Sequence, residues 1–259
     1  MNPLDRSFLE SLGDDNGWEN LLEAREESLV LGSSRHPHEI GVLALSHGWR
    51  LVFHSEMLEQ SLRFHRGIPA TNAVIVATPG ELGQILYDAA QLAMALPTHP
   101  LERFQKAVRE ENIPDGPGAT EAQRLEKVRI GQGIYRDSLV RYWGGACAVT
   151  GLSVPGLLRA SHAKPWATCG SDAERLDVFN GFLLAVHLDG LFDQGFVTFD
   201  PRGGGVVSSS LDPETLRILG LDHGFQLRWM DPSHERYLAW HRDHVFEKVR
   251  EDQEDAKLG

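Results

Sequence analysis

Three short motifs follow one another in a fixed order: Ser161-His162-Ala163-Lys164-Pro165-Trp166, Asn180-Gly181-Phe182-Leu183-Leu184 and Asp189-Gly190-Leu191-Phe192-Asp193. The first ends an apolar run on a histidine, and the second sets an asparagine ahead of another apolar run. The third holds two carboxylates four residues apart, a spacing that puts both on one helical face, one turn along. Any fold this segment adopts has to accommodate a base, an orienting amide and two carboxylates within one short span.

The rest of the composition sets wider limits. At 259 residues, 24% charged and 41% hydrophobic, the chain reads as globular rather than disordered, with room for one large domain or two ordinary ones. No apolar run approaches the ~20 residues that span a bilayer, and the N-terminal segment lacks the basic and apolar regions of a signal peptide, so the cytoplasm is the expected location and no membrane partner is expected. Two cysteines, Cys147 and Cys169, neither form a disulfide framework nor build a four-thiolate zinc site. They read as reduced thiols, with Cys147 in or near a core.

The formal net charge of -12 is spread unevenly. Residues 1–120 hold 9 basic and 17 acidic side chains, and the tail 251–259 contributes a further -3, which leaves the segment between them close to neutral. Nonspecific DNA binding depends on Lys and Arg displacing condensed counterions, so idle binding to random DNA is expected to be weak.

Along the chain, residues 8–31 carry apolar residues at helical spacing, interrupted near Gly13 by a candidate cap at Asp14-Asp15-Asn16. Residues 40–45 and 49–53 flank Ser46-His47-Gly48 in the pattern of a hairpin. A strand is expected over 73–77, and a helix from Glu81 to Leu96 that Pro97 stops. The Pro- and Gly-rich stretch 111–120 is the expected linker between an N-terminal module, 1–110, and a second domain, 121–250, followed by the acidic tail 251–259. Beyond the linker the pattern predicts a helix from Glu121 to Tyr142, a strand near Cys147–Thr150, a turn at Gly151, and a short helix or strand over 157–161. The histidines of the N-terminal module, His36, His38, His47, His54 and His65, lack partners at ligand spacing and read as structural.

The ordered text Arg129-Ile-Gly-Gln-Gly-Ile-Tyr-Arg136, Cys147-Ala-Val-Thr-Gly151, the His162 and Asn180 segments and Tyr237-Leu-Ala-Trp-His-Arg242 resembles the HNH endonucleases over roughly residues 122–248. The subgroup it resembles carries GQxx[FY]R, CxxTG, SHxxPW and NGxLL...DxLFDxG motifs. The resemblance implies an α+β protein with a C-terminal ββα-metal nuclease domain behind the N-terminal mixed α/β module. It also implies a metal-dependent hydrolase that cleaves DNA phosphodiester bonds, in the setting of restriction or defence against foreign DNA. The role of general base falls on His162, whose neutral imidazole can accept a proton at physiological pH. Asn180 would brace the loop around it, and the ligand nine residues after the Asn would be Asp189, with Asp193 one turn on.

Here the chain departs from the family in two places. Asp189 stands where the family has His, which makes a hard oxygen site suited to Mg2+ or Mn2+. Ser161 precedes the base where some relatives place a further ligand. His187, seven residues after Asn180, is the alternative ligand, and Asp189 as a helix cap is the structural alternative. Arg129, Gln132 and Arg136 share a helical face that either follows a phosphate backbone, with Lys164 adding charge near His162, or is a solvated amphipathic face. The N-terminal module is expected to recognise a target, bind a signal or form a homodimer. Two other readings stay open: a nucleic-acid or protein-interaction module with a decayed metal site, and an acidic mimic of DNA that occupies a basic groove.

Overall fold

The computed structural model describes residues 3–114 and 118–246, and the acidic tail 251–259 lies outside the described residues. The chain forms two compact units, Met1–His99 and Pro100–Gly259.

The first unit opens with helix α1 (Pro3–Asp15) and continues into strands β1 (Asn20–Ala24) and β2 (Ser28–Gly32). The helix expected through residue 31 therefore stops at Asp15, and a hairpin follows. Leu29 and Leu31 alternate into the core while the Glu-rich residues 26–27 turn the chain, so period two prevails over the helical spacing. Strands β3 (Ile40–Leu45) and β4 (Gly48–Phe53) form the expected hairpin. Helix α2 (Glu56–Arg66), strand β5 (Val74–Val76) and helix α3 (Pro79–Ala95) complete the unit. The five strands pair antiparallel in chain order. Thr78 and Glu81 close a capping box on α3, with Pro79 in its first turn.

The second unit takes in most of helix α4 (Thr98–Glu110), so the division falls ahead of the expected linker at 111–120. The reason is packing: Phe104 of α4 is buried against Gly131 of helix α5 (Glu121–Tyr142), and Arg103 pairs with Asp137. A capping box between Thr120 and Gln123 starts α5 at the expected residue.

Cys147–Thr150 is a turn rather than the expected strand. The Cys147 thiol, fully buried, accepts backbone N–H groups from Val149, Thr150 and Ala185, and these bonds replace a strand ladder. Strand β6 (Leu158–His162) and the four-residue helix α6 (Asp172–Arg175) then lead to strand β7 (Gly181–Ala185). β6 and β7 pair antiparallel, from Leu158 opposite Ala185 to His162 opposite Gly181. Helix α7 (Val186–Asp193) follows β7 without an intervening loop. Phe182, Leu184, Leu188 and Phe192 are all buried, so the hairpin and α7 share one core. The remaining elements are β8 (Val197–Phe199), β9 (Gly205–Val207), α8 (Pro213–Leu219) and α9 (Glu235–His241).

Candidate active site

The strand, strand, helix order of β6, β7 and α7 brings the three motifs together. Ser161 and His162 are the last two residues of β6. The Ser161 hydroxyl donates to Asp193 Oδ1 at 3.2 Å and also acts on Asp189, where it moderates a rise in pKa. The His162 ring stacks on Tyr135 of α5, with centroids 3.7 Å apart.

His162 is held in one orientation and one tautomer. Its Nε2 lies 2.9 Å from the Arg175 carbonyl, which only accepts, so Nε2 carries the proton and Nδ1 keeps its lone pair. Burial pushes the imidazole down to about 4, against which the Arg175 carbonyl works by favouring the protonated ring. The ring is therefore neutral at physiological pH.

Asn180 is fully buried and bonds along the loop between β6 and β7. Its Oδ1 accepts from the Lys164 backbone N–H at 2.8 Å, and its Nδ2 donates to the Lys164 and Glu174 carbonyls at 3.2 and 3.1 Å. Its own carbonyl accepts from Ala163 N–H and from the Tyr135 hydroxyl. Gly181 follows because a Cβ there would sit 1.9 Å from the Ser161 carbonyl oxygen and 2.3 Å from the Tyr135 hydroxyl, at φ +157°.

His162 and Asp193 open into the same cleft, about 350 Å³, which Trp166 and His241 also line. Asp189 lies one turn back on α7, half-buried, and His187 is exposed. Partial burial raises both carboxyls above their usual range, and for Asp193 the Asp189 charge adds to the rise. Two like charges that destabilise each other in this way would be relieved by a bound cation. The donors available are two carboxylates and the Ser161 hydroxyl, all hard oxygens, and this fits a divalent ion such as Mg2+ that keeps waters and takes one or two carboxylates. Among the described residues no group of three or more His, Cys, Asp or Glu side chains is arranged to hold a metal.

The other expected substrate contacts are placed variously. Arg129 is exposed and pairs with Glu126 at 3.1 Å, and Gln132 is exposed on the same helix. The Arg136 guanidinium donates to the Leu158 and Pro155 carbonyls, which anchors the start of β6. Lys164 pairs with Glu174 at 2.7 Å. These two cations hold the framework of the hairpin and its loop.

Three residues with no assigned role in the motifs prove central. Tyr135 touches both His162 and Asn180. Arg175 supplies the carbonyl for His162, while its own side chain donates to the Trp166 and Cys169 carbonyls. His241, buried, stacks on Phe192 at 3.9 Å, and its two nitrogens meet Thr198 Oγ1 and the Phe192 carbonyl, next to Asp193. Tyr135 and His241 stand inside sequence motifs already noted, whereas nothing in the sequence marks Arg175.

Residues 147–200 match the family model described as HNH endonuclease. The match begins at the Cys147 turn and ends just after β8, so it takes in the whole of β6, β7 and α7. The match supports the HNH endonuclease family for this stretch, which lies in the C-terminal part of an α+β fold. The chain matches none of the curated proteins. An HNH domain suggests a nuclease-type function and implies nucleic-acid binding. Among the described residues no helix is long and apolar enough to cross a membrane.

Proposed function

We propose that the second unit is a metal-dependent endonuclease that hydrolyses DNA phosphodiester bonds, with His162 as general base and Asp189 and Asp193 holding a Mg2+ or Mn2+ ion. The observation that carries this reading is the shared cleft: His162 and Asp193 line one opening, while Ser161, beside His162 on β6, ties that strand to α7.

When bound, the ion supplies positive charge to the phosphate oxygens and to the departing oxygen. The side chains do the rest. His162 takes a proton from water through Nδ1 while Nε2–H stays on the Arg175 carbonyl, so the ring keeps its aim as it becomes charged. Tyr135 blocks one face of the imidazole, and Asn180 holds the loop that carries the Arg175 carbonyl. Arg129 and Gln132, exposed on α5, are of the chemistry that contacts a phosphate backbone.

We assign the first unit a recognition or control role, in which it restrains cutting until a target or signal is met, and the acidic balance of residues 1–120 supports that reading because it opposes idle DNA binding. Restriction or defence against foreign DNA is the setting this arrangement suits, as is pairing of two chains to cut both strands. The test is incubation of the full chain with modified and unmodified plasmid DNA in Mg2+ or Mn2+, beside His162→Ala. Cleavage that the substitution abolishes is the expected result. Cleavage that survives it removes His162 from the chemistry, and tight DNA binding without cleavage favours an interaction module instead.

A further inference from the structure

A second pocket of about 240 Å³ adjoins the cleft, and the two share Trp166 as a common wall. Phe104 of α4 forms part of its lining, and Arg124, Lys127 and Arg175 bring three cations around one carboxylate, Asp172. In a chain of formal charge -12 this is a local excess of positive charge, and it lies beside the general base.

We propose that this pocket is a phosphate subsite for the DNA strand that enters the His162 cleft; the inference deepens the nuclease reading and rests on it. The three cations differ in what they can offer. Arg175 is engaged by Asp172 and by the Trp166 and Cys169 carbonyls, so it shapes the pocket. Lys127 lies 3.4 Å from Asp172 and 5.6 Å over the Phe104 ring, so it is engaged within the pocket and contributes charge to its wall. Arg124 is exposed and makes no ion pair among the described residues, which leaves its guanidinium fork available for two phosphate oxygens.

The spacing fits a continuous strand. Arg124, Lys127, Gly131 and Tyr135 follow one another at three- and four-residue steps, so they lie along one stripe of α5. Trp166 packs over Gly131, where a Cβ would lie 2.3 Å from its ring, and Tyr135 stacks on His162. At ~1.5 Å per residue the pocket lies roughly 12–16 Å from the base along the helix, or about three to five nucleotides at ~3.4 Å of rise. The Arg175 peptide links the two places, its side chain in the pocket wall and its carbonyl on His162.

The test is fluorescence anisotropy of a labelled duplex of mixed sequence with the full chain carrying His162→Ala, titrated over a range of salt. Arg124→Ala is expected to weaken binding about 3- to 10-fold and to lower the slope of log K against log salt by about 1, as loss of one phosphate contact does, and Lys127→Ala is expected to weaken binding less. Arg217→Ala, an exposed arginine on α8, is expected to leave both unchanged. Lys127→Ala also breaks the pair with Asp172, so Arg124→Ala decides: an unchanged slope and affinity there overturns the subsite. Cleavage by the chain with His162 intact, run in parallel, separates the two readings. Cleavage with no change in slope overturns the subsite alone. A lowered slope without cleavage keeps the subsite and overturns the nuclease reading, and a chain that neither binds nor cuts overturns both.

Discussion

The Tyr135 ring lies against the His162 imidazole, 18° from parallel, and its hydroxyl donates to the Asn180 carbonyl at 2.9 Å. One side chain of α5 therefore supports both His162, the proposed general base, and Asn180, whose amide bonds along the loop beside it. Tyr135→Phe keeps the ring and loses only the hydrogen bond, and the Asn180 carbonyl still accepts from Ala163 N–H. The expected cost is about 1 kcal/mol in urea unfolding, with cleavage within a few-fold of the parent. Tyr135→Ala removes a buried ring, so the expected cost is about 3–5 kcal/mol, and the freed imidazole is expected to lose most of the cleavage rate.

Asn180→Ala strips one acceptor and two donors from a buried site. The Lys164 N–H and Glu174 carbonyl then lose their partners, at roughly 1–3 kcal/mol for each group left unpaired. Thermal melts are expected to show a larger loss than Tyr135→Phe, and cleavage is expected to fall with it. Asn180→Asp restores the acceptor toward Lys164 N–H but turns a carboxylate oxygen toward two carbonyls, so it is expected to rescue little.

The framework around the three motifs was legible in the chain before its fold, whereas the roles of its side chains stay proposals. The resemblance to the HNH endonucleases implies a ββα unit around His162, Asn180 and Asp189, and β6, β7 and α7 form that order. The Glu121–Tyr142 helix was legible because Thr120 and Gln123 form a capping box. The β1–β2 hairpin was not, since its residues also fit a helical period and only pairing with β3 decides between the two. The Cys147 turn was hidden for a similar reason: a thiol accepting three N–H groups has no sequence signature. Arg136 and Lys164 looked like phosphate contacts because charge and spacing do not reveal that carbonyls and Glu174 already engage them. Arg175 was invisible because its part is played by a backbone carbonyl, which every residue has.

His241 ties α9 to the end of α7 through the Phe192 carbonyl, one residue before Asp193. His241→Phe keeps an aromatic ring on Phe192 but leaves Thr198 Oγ1 and that carbonyl without their partner. The expected cost is about 1–3 kcal/mol in chemical unfolding. Because the change acts on Asp193 and not on His162, weaker Mn2+ binding is expected alongside, with the pH profile of cleavage unmoved.

Acid is expected to destabilise the second unit below pH 6.5. His162, His234 and His241 are each pushed down to about 4 by burial. Between the ordinary value of 6.5 and about 4 the unfolded chain binds protons that the folded chain does not, so stability falls with pH across that window and levels off below it. For the fully buried His234 and His241 the loss amounts to about 3 kcal/mol each. Urea unfolding at a series of pH values from 7 to about 4 measures it, and a flat profile there would contradict the burial of neutral rings.

The central claim is that a divalent ion held by Asp189 and Asp193 lies beside the His162 imidazole, and Mn2+ binding followed by electron paramagnetic resonance tests it most directly. The full chain and His162→Ala are both expected to bind Mn2+, while Asp189→Asn and Asp193→Asn are expected to bind it at least about 10-fold more weakly, as loss of a charged ligand from a two-carboxylate site implies. Of these, only the unsubstituted chain is expected to cleave DNA at full rate. Mn2+ affinity that is the same in all four proteins would contradict the claim.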